Sequence, residues 1–184
     1  GDDTQRARAM AILAALLGSW GRQGGYLSFG KMGAPAYPLA KPFPHPDKGV
    51  ADRPKAGGYP IGGEVIASGL CDASVPGQAL YDLKAWIVYG CNLMQALPSR
   101  PQTQKAIQAL DLIVTVDILP AEITGWSDVV LPEATYLERD DDLAAPPYKQ
   151  PFLALRQEVV PPLYDSRPGW WIAKELANRT GLGD

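Results

Sequence analysis

Continuous runs of apolar residues separated by polar turns dominate the middle of the chain. Three short runs, at 85–89, 112–116 and 129–131, are rich in aromatic and β-branched residues and do not alternate between polar and apolar positions. Runs of this kind, bounded by turn residues, are typical of buried strands. Strands that are apolar on both faces belong to parallel sheets that are covered on both sides. We therefore predict three strands of a mainly parallel sheet.

A short amphipathic helix is predicted between the first two runs. Residues 102–110 place their apolar side chains on one face, and Ser99 is suited to cap a helix that has Pro101 near its start. A helix that joins two parallel strands makes a βαβ unit with a right-handed crossover. The predicted fold class is α/β, a Rossmann-like, doubly wound arrangement with helices on both faces of the sheet and long loops rich in proline and glycine.

The remaining segments are assigned from their periodicity. An amphipathic helix is expected over 4–17, short helices or turns over 64–70 and 76–81, and a final helix over 170–179. The whole chain is predicted to form a single α/β domain. Its parts are a helix and glycine turn (1–30), an irregular loop (31–63), the βαβ core (64–139), and an extended arm with the C-terminal helix (140–184).

Composition excludes several kinds of site. The 184 residues include 18 prolines and 19 glycines, and the formal net charge of −3 with no basic cluster does not favour nucleic-acid binding. Cys71, Cys91 and the single histidine, His45, lack the spacing of a zinc or iron–sulfur site. The acidic run at 140–142 lacks the alternation of a calcium-binding loop, so it is predicted to be a solvated turn. No metal ligand is predicted.

Polar side chains follow the predicted strands. Asn92 comes soon after the first strand, Asp117 directly after the second, and Arg139 downstream of the third. Ligands of parallel α/β sheets bind beyond the carboxyl ends of the strands. An amide, a carboxylate and a guanidinium at that edge suit a nucleotide: the amide for a phosphate or sugar, the carboxylate for a ribose hydroxyl or the N–H edge of guanine, and the guanidinium for a phosphate.

Three segments carry a family resemblance. Residues 89–95 (Tyr-Gly-Cys-Asn-Leu-Met-Gln), 114–117 (Val-Thr-Val-Asp) and 127–139 (Ser-Asp-Val-Val-Leu-Pro-Glu-Ala-Thr-Tyr-Leu-Glu-Arg) resemble the molybdopterin oxidoreductases of the dimethyl sulfoxide reductase superfamily. Within that superfamily, the residues around Asn92 and the Pro-Gly-Trp-Trp run at 168–171 are similar to catalytic subunits of polysulfide and thiosulfate reductases.

The resemblance implies part of a binding site for bis(molybdopterin guanine dinucleotide). Asn92, in one loop with Gly90 and Cys91, maps to the asparagine that touches the dinucleotide. Val116 and Asp117 map to the strand-end pair, with the Asp117 carboxylate recognising ribose or guanine. Arg139 maps to a position where a cation meets phosphate or the guanine edge. One departure stands out, because many relatives have an acid close to position 169, where this chain has glycine.

The same resemblance implies a larger enzyme. The chain looks like an internal piece of a catalytic subunit whose [4Fe–4S] cysteines, molybdenum ligand and C-terminal barrel lie elsewhere, so no catalytic residue is assigned. The implied reaction is two-electron reduction of a sulfur–sulfur bond, with an iron–sulfur electron-transfer subunit, a membrane anchor subunit and periplasmic location after twin-arginine export. Arsenate, tetrathionate or sulfite stay open as substrates, as does a non-catalytic nucleotide-binding or assembly module.

Overall fold

The computed structural model describes residues 3–26, 67–79, 81–141, 143–145, 150 and 152–182. The chain divides into two compact units, one formed by 1–38 with 141–156 and the other by 39–140 with 157–184. The predicted irregular loop at 31–63 lies outside the described residues. A single domain over 1–184 therefore stays a prediction, and the two units are described separately.

The second unit contains a parallel sheet of three strands in the order β1, β2, β3. The strands are β1 (Ala85–Tyr89), β2 (Leu112–Asp117) and β3 (Val129–Pro132). Tyr89 lies opposite Val116 in the first pairing, and Asp117 lies opposite Pro132 in the second. The three predicted strands and the α/β fold class are thus confirmed, with each predicted strand correct to within one residue at its end.

The helices are short and mostly lie where the sequence places them. They are α1 (Asp3–Leu16), α2 (Ala67–Ala73), α3 (Leu93–Ala96), α4 (Arg100–Ala109), a 3₁₀ helix (Glu122–Trp126) and α5 (Gly169–Thr180). Ser99 occupies the N-cap position of α4, but its side chain makes no capping hydrogen bond. Instead the Thr103 hydroxyl donates to the Ser99 carbonyl oxygen at 3.0 Å.

One face of the sheet carries the main core. Val88 of β1 and Ile113 of β2 pack with Met94, Ile107 and Ile123 from the helices that follow β1 and β2. Successive side chains of a strand point to opposite faces. The neighbour of Val88, Tyr89, therefore points to the other face, where it lies against Gly169 at the start of α5. The start of α5 thus touches this second face, but Ile87 and Tyr89 are 66% and 56% exposed, so the predicted covering of both faces is not seen among the described residues.

The first unit is less completely packed within the described residues. Helix α1 buries Ala14, whereas Met10, Leu13 and Leu17, the predicted apolar stripe, are each more than half exposed. Trp20 stacks on another aromatic ring of the glycine turn, that of Tyr26, with 5.2 Å between the ring centres. The stripe thus forms on the predicted helix without being covered there.

The predicted extended arm is only partly paired. Ala144 and Ala154 form an antiparallel bridge in the first unit, where the Arg156 guanidinium is paired with the Asp141 carboxylate at 2.5 Å. In the second unit Asp140 accepts a hydrogen bond from the Glu158 backbone at 2.8 Å. Both acids thus bond to protein groups, and Asp140 is exposed whereas Asp141 is half-buried.

The described part of the chain contains no cluster of histidine, cysteine or acidic residues able to hold a metal ion. None of its helices combines the length and the apolar composition that a membrane crossing requires.

We expect the replacement Ile113→Ala to lower the free energy of unfolding by about 2–5 kcal/mol, because it removes three buried carbons from a packed core and leaves a cavity. Ile113 is 3% exposed, whereas Leu119, just beyond the same strand, is 69% exposed. Leu119→Ala is the control and should change stability by about 0.5 kcal/mol or less. Urea denaturation of both variants measures the difference, and equal losses would contradict this core assignment.

Candidate functional site

The carboxyl ends of the three strands form one continuous backbone edge. The N–H of Gly90, just after β1, donates to the Val116 carbonyl oxygen at 2.9 Å, and the N–H of Glu133, just after β3, donates to the Asp117 carbonyl oxygen at 3.0 Å. Gly90 has a φ of +58°, in the left-handed region that glycine adopts most readily. The chain therefore leaves all three strands side by side, as the predicted site requires.

Asn92 contributes an unusual buried acceptor. It precedes α3, and its backbone carbonyl oxygen accepts hydrogen bonds from Gln95 and Ala96 at 3.0 and 2.9 Å. Its side chain does not cap the helix. The amide oxygen Oδ1 is buried and has no hydrogen-bond partner among the described residues. A buried acceptor without a donor costs roughly 1–3 kcal/mol, so this position suits a ligand that supplies an N–H or O–H.

Asp117 ends β2 and shapes the loop that follows. Its Oδ1 atom accepts hydrogen bonds from the backbone N–H groups of Ile118 and Leu119, at 2.7 and 3.4 Å. The side chain is half-buried, so the carboxylate is only partly committed to this turn. Val116, which precedes it, is 2% exposed. Val116 thus contributes its backbone, rather than its buried side chain, to the edge of the sheet.

Arg139 is joined to an acid that the sequence reading did not single out. Its Nη1 atom pairs with Oε1 of Glu133 and also donates to the Ala134 carbonyl oxygen at 3.3 Å. The two side chains are 19% and 6% exposed. The charge of this guanidinium is therefore balanced within the chain, and its predicted role toward phosphate or guanine stays a prediction.

Tyr89, at the end of β1, is the third member of this cluster. Its hydroxyl donates to the same Oε1 atom of Glu133, reaching across β2 from β1. That hydrogen bond, with a smaller contribution from burial, raises the pKa of the Tyr89 phenol. Strand alternation and register place Tyr89 and Glu133 on the same face of the sheet. Because the register is fixed only in the folded sheet, the sequence alone did not identify this pair.

Gly169 lies directly against this pair. A Cβ atom built there would overlap both the Tyr89 hydroxyl and the Glu133 carboxylate. The departure from the acid found in many relatives thus has a steric reason in this chain. No side chain fits at position 169 while Tyr89 and Glu133 occupy the space.

A second buried acid organises the segment between β3 and α5. Glu138 accepts hydrogen bonds from the backbone and hydroxyl of Thr135 at 2.9 and 2.8 Å, and from the Leu163 backbone at 3.1 Å. These bonds, the Thr135 backbone first, lower the pKa of the Glu138 carboxyl. The Thr-x-x-Glu spacing is that of a capping box, a signal that could have identified this residue.

An apolar groove of about 380 Å³ runs along β1. Its lining includes Leu70, Trp86, Tyr89 and Leu97. Of the predicted site residues, only Cys91 is among those that line this groove. The groove is therefore distinct from the positions of Asp117 and Arg139, and its apolar lining offers little to a nucleotide.

The structure thus unites part of the predicted set. A backbone hydrogen bond joins Gly90 to Val116, Asp117 follows Val116 in the chain, and Asn92 lies in the loop that leaves the same edge. Strand alternation assigns Asp117 to the face of Val88, whereas Arg139 is held by Glu133 on the opposite face. The edge resembles a nucleotide-binding edge of a parallel α/β protein, with its polar groups divided between two faces.

Comparison with known proteins identifies the family. The family model described as Molybdopterin oxidoreductase matches residues 2–179. The chain belongs to this family, and its relatives place it in the dimethyl sulfoxide reductase superfamily.

Two curated relatives and one solved structure illustrate the range. The thiosulfate reductase molybdopterin-containing subunit PhsA of Salmonella typhimurium is 40% identical over 122 residues, 66% of this chain and 16% of that protein. A trimethylamine-N-oxide reductase of Vibrio vulnificus is 30% identical over 196 residues, 96% of this chain and 24% of that protein. The chain therefore spans a quarter or less of these relatives.

One structural neighbour is acetylene hydratase from Pelobacter acetylenicus. It superimposes with a TM-score of 0.54 at 24% identity, covering 64% of this chain and 16% of the other. At this identity the likeness establishes the fold alone, and it agrees with the parallel α/β sheet described above.

We expect Gly169→Ala to lower the free energy of unfolding by about 1–3 kcal/mol, because the added methyl overlaps the Tyr89–Glu133 pair. Gly125→Ala is the matched control, since a Cβ atom at Gly125 meets nothing within 4 Å. Thermal unfolding of both variants tests the difference. Adding Tyr89→Phe should restore part of the loss, and a Gly169→Ala variant as stable as the control would contradict the packing.

We expect Glu138→Gln to reduce the loss of stability on acidification. The carboxyl has a lower pKa in the folded chain than when unfolded, so its stabilising contribution is present above the unfolded pKa and disappears as the pH falls through the folded pKa. Urea denaturation at pH 7 and at successively lower pH values measures this. Thr135→Val, which removes only the hydroxyl donor, should be intermediate, and an unchanged pH dependence in Glu138→Gln would refute the assignment.

Proposed function

We propose that the chain forms part of the bis(molybdopterin guanine dinucleotide)-binding region of a molybdenum oxidoreductase catalytic subunit. The family assignment supports a molybdenum–molybdopterin cofactor. The observation that carries the proposal within this chain is the Asn92 amide oxygen, buried beside the strand edge with no partner among the described residues. A dinucleotide has ribose, guanine and pterin N–H and O–H groups that match this acceptor.

Each residue at this edge has its own proposed role toward the cofactor. Asn92 would accept a hydrogen bond from the dinucleotide, and the half-buried Asp117 carboxylate would accept one from ribose hydroxyls or the guanine N–H edge. Arg139 would present oriented N–H donors, because Glu133 already balances its charge. Gly90 and Cys91 bring the loop backbone up to the edge, as does Val116. The backbone bonds that join these loops would keep them in one geometry.

The cofactor, when bound, supplies the two-electron chemistry, while the protein binds it and tunes its surroundings. None of the described residues is assigned to a chemical step. The proposed task of this part of the chain is to hold and orient the nucleotide end of the cofactor.

The substrate we favour for the intact subunit is polysulfide or thiosulfate. The 40% identity to a thiosulfate reductase subunit supports this choice over arsenate, tetrathionate or sulfite. The trimethylamine-N-oxide reductases match more of the chain, but at a lower identity of 30%. We further propose a [4Fe–4S] centre elsewhere in the subunit, an iron–sulfur electron-transfer subunit, a membrane anchor subunit and a periplasmic location.

We expect Asn92→Leu in the intact subunit to lose cofactor without losing stability. Leucine removes the unsatisfied acceptor at similar volume, so folding should be neutral or slightly favoured, while the ligand loses a buried hydrogen bond worth about 1–3 kcal/mol, or roughly 5- to 150-fold in affinity. Molybdenum and released guanine nucleotide per subunit report occupancy, and thermal unfolding of the apoprotein reports stability. Asp117→Ala should also lower occupancy, with Asp117→Asn intermediate.

The controls use the same residue types at exposed positions. Asn178→Leu lies on the exposed side of α5, and Asp111→Ala removes an exposed carboxylate that is 3.6 Å from Lys84. Neither should alter molybdenum content. Full occupancy in both Asn92→Leu and Asp117→Ala would contradict the residue assignments. A wild-type subunit that contains neither molybdenum nor guanine nucleotide would favour a non-catalytic module.

A further inference from the structure

The Glu133 carboxylate is buried at the end of β3. The residue is 7% exposed, and its backbone N–H is bonded to the Asp117 carbonyl oxygen. An isolated carboxylate in such a place is strongly unfavourable unless charged and hydrogen-bonding partners satisfy it. A buried acid at this position, where an apolar residue would cost less to bury, therefore calls for an explanation.

Two donors meet on a single oxygen of that acid. The Tyr89 hydroxyl and the Arg139 Nη1 atom both bond to Oε1 of Glu133. The same Nη1 atom donates to the Ala134 carbonyl oxygen, which fixes its direction. Gly169 leaves the space that the pair occupies. One carboxylate thus connects the end of β1, the segment after β3 and the start of α5.

We propose that Glu133 is a positioning residue that holds the Arg139 guanidinium in the orientation required by the nucleotide end of the cofactor. This inference rests on the proposed function of the edge. Glu133 acts through Arg139 and need not touch the ligand. Because the pair is close to neutral, Arg139 contributes a planar, pre-oriented set of N–H donors rather than net positive charge.

The competing explanation is that the cluster only fastens α5 to the sheet. In that case the Glu133 and Arg139 variants would weaken the fold, and any loss of cofactor would follow the loss of stability. A positioning role predicts instead that the two residues act on cofactor retention as one unit, because Glu133 has no effect once Arg139 is absent.

The test uses the intact subunit produced with molybdate. The variants are Glu133→Ala, Glu133→Gln, Arg139→Ala, the double Glu133→Ala/Arg139→Ala, and Tyr89→Phe. The rates at which molybdenum and guanine nucleotide leave the subunit during gel filtration report cofactor retention. Thermal unfolding of the cofactor-free proteins reports the fold. Glu122→Ala is the matched control, because Glu122 pairs with Arg100 away from the cluster and at a more exposed position.

We expect Glu133→Ala to release the cofactor about 10- to 100-fold faster, the range typical of residues that orient a ligand-binding group. Arg139→Ala should be at least as fast, and the double variant no faster than Arg139→Ala. Glu133→Gln keeps an oxygen acceptor and should lie between wild type and Glu133→Ala. Glu122→Ala should release cofactor at the wild-type rate.

Two results would overturn the inference. One is a double variant whose release rate increases by the product of the two single-variant factors. The other is an Arg139→Ala variant that retains cofactor as well as wild type. If Glu133→Ala does not accumulate, Glu133→Gln decides: retention equal to wild type in that variant, with Arg139→Ala impaired, also overturns it. A wild-type subunit without molybdenum or guanine nucleotide refutes the proposed function itself, whereas wild type loaded normally and Arg139→Ala unimpaired refutes only the positioning role.

Discussion

Parallel pairing of three strands is the constraint on which the rest of the structure depends. It brings residues that are about fifty positions apart to one edge, because every strand must end on the same side of the sheet. The hydrogen bonds from Gly90 to Val116 and from Glu133 to Asp117 extend that pairing one residue beyond the strands. The loops that carry Asn92, Asp117 and Arg139 consequently start from fixed, adjacent points.

Polar groups at this edge differ in whether they have a hydrogen-bond partner within the protein. On one face, the Glu133 carboxylate is satisfied by Tyr89 and Arg139, and Gly169 provides the space for them. In the loop after β1, by contrast, the Asn92 amide oxygen is buried without a protein donor among the described residues. The two hydrogen bonds hold the Glu133 side chain in place, and an unsatisfied acceptor gives a place for a ligand. Together with the family assignment, these two features support the proposal that the edge forms one wall of a cofactor site.

Family membership and geometry support each other without being equivalent. The family model covers residues 2–179 and establishes what kind of protein this is. The matched segments make up 16% and 24% of the two relatives, so family membership by itself does not locate a complete reaction centre in this chain. The balanced charge of Arg139 refines the expectation drawn from the family, because it favours directional hydrogen bonding over attraction of a phosphate.

The sequence by itself determined the strands, their parallel arrangement and the residues at their ends. These features could be predicted because runs of β-branched and aromatic residues that end at glycine, aspartate or proline are recognisable from the local sequence. Only the tertiary structure decided which side chains meet. Register and burial set the partners of Glu133 and the steric requirement at Gly169. Those outcomes depend on distances between residues remote in the chain, which no local pattern encodes.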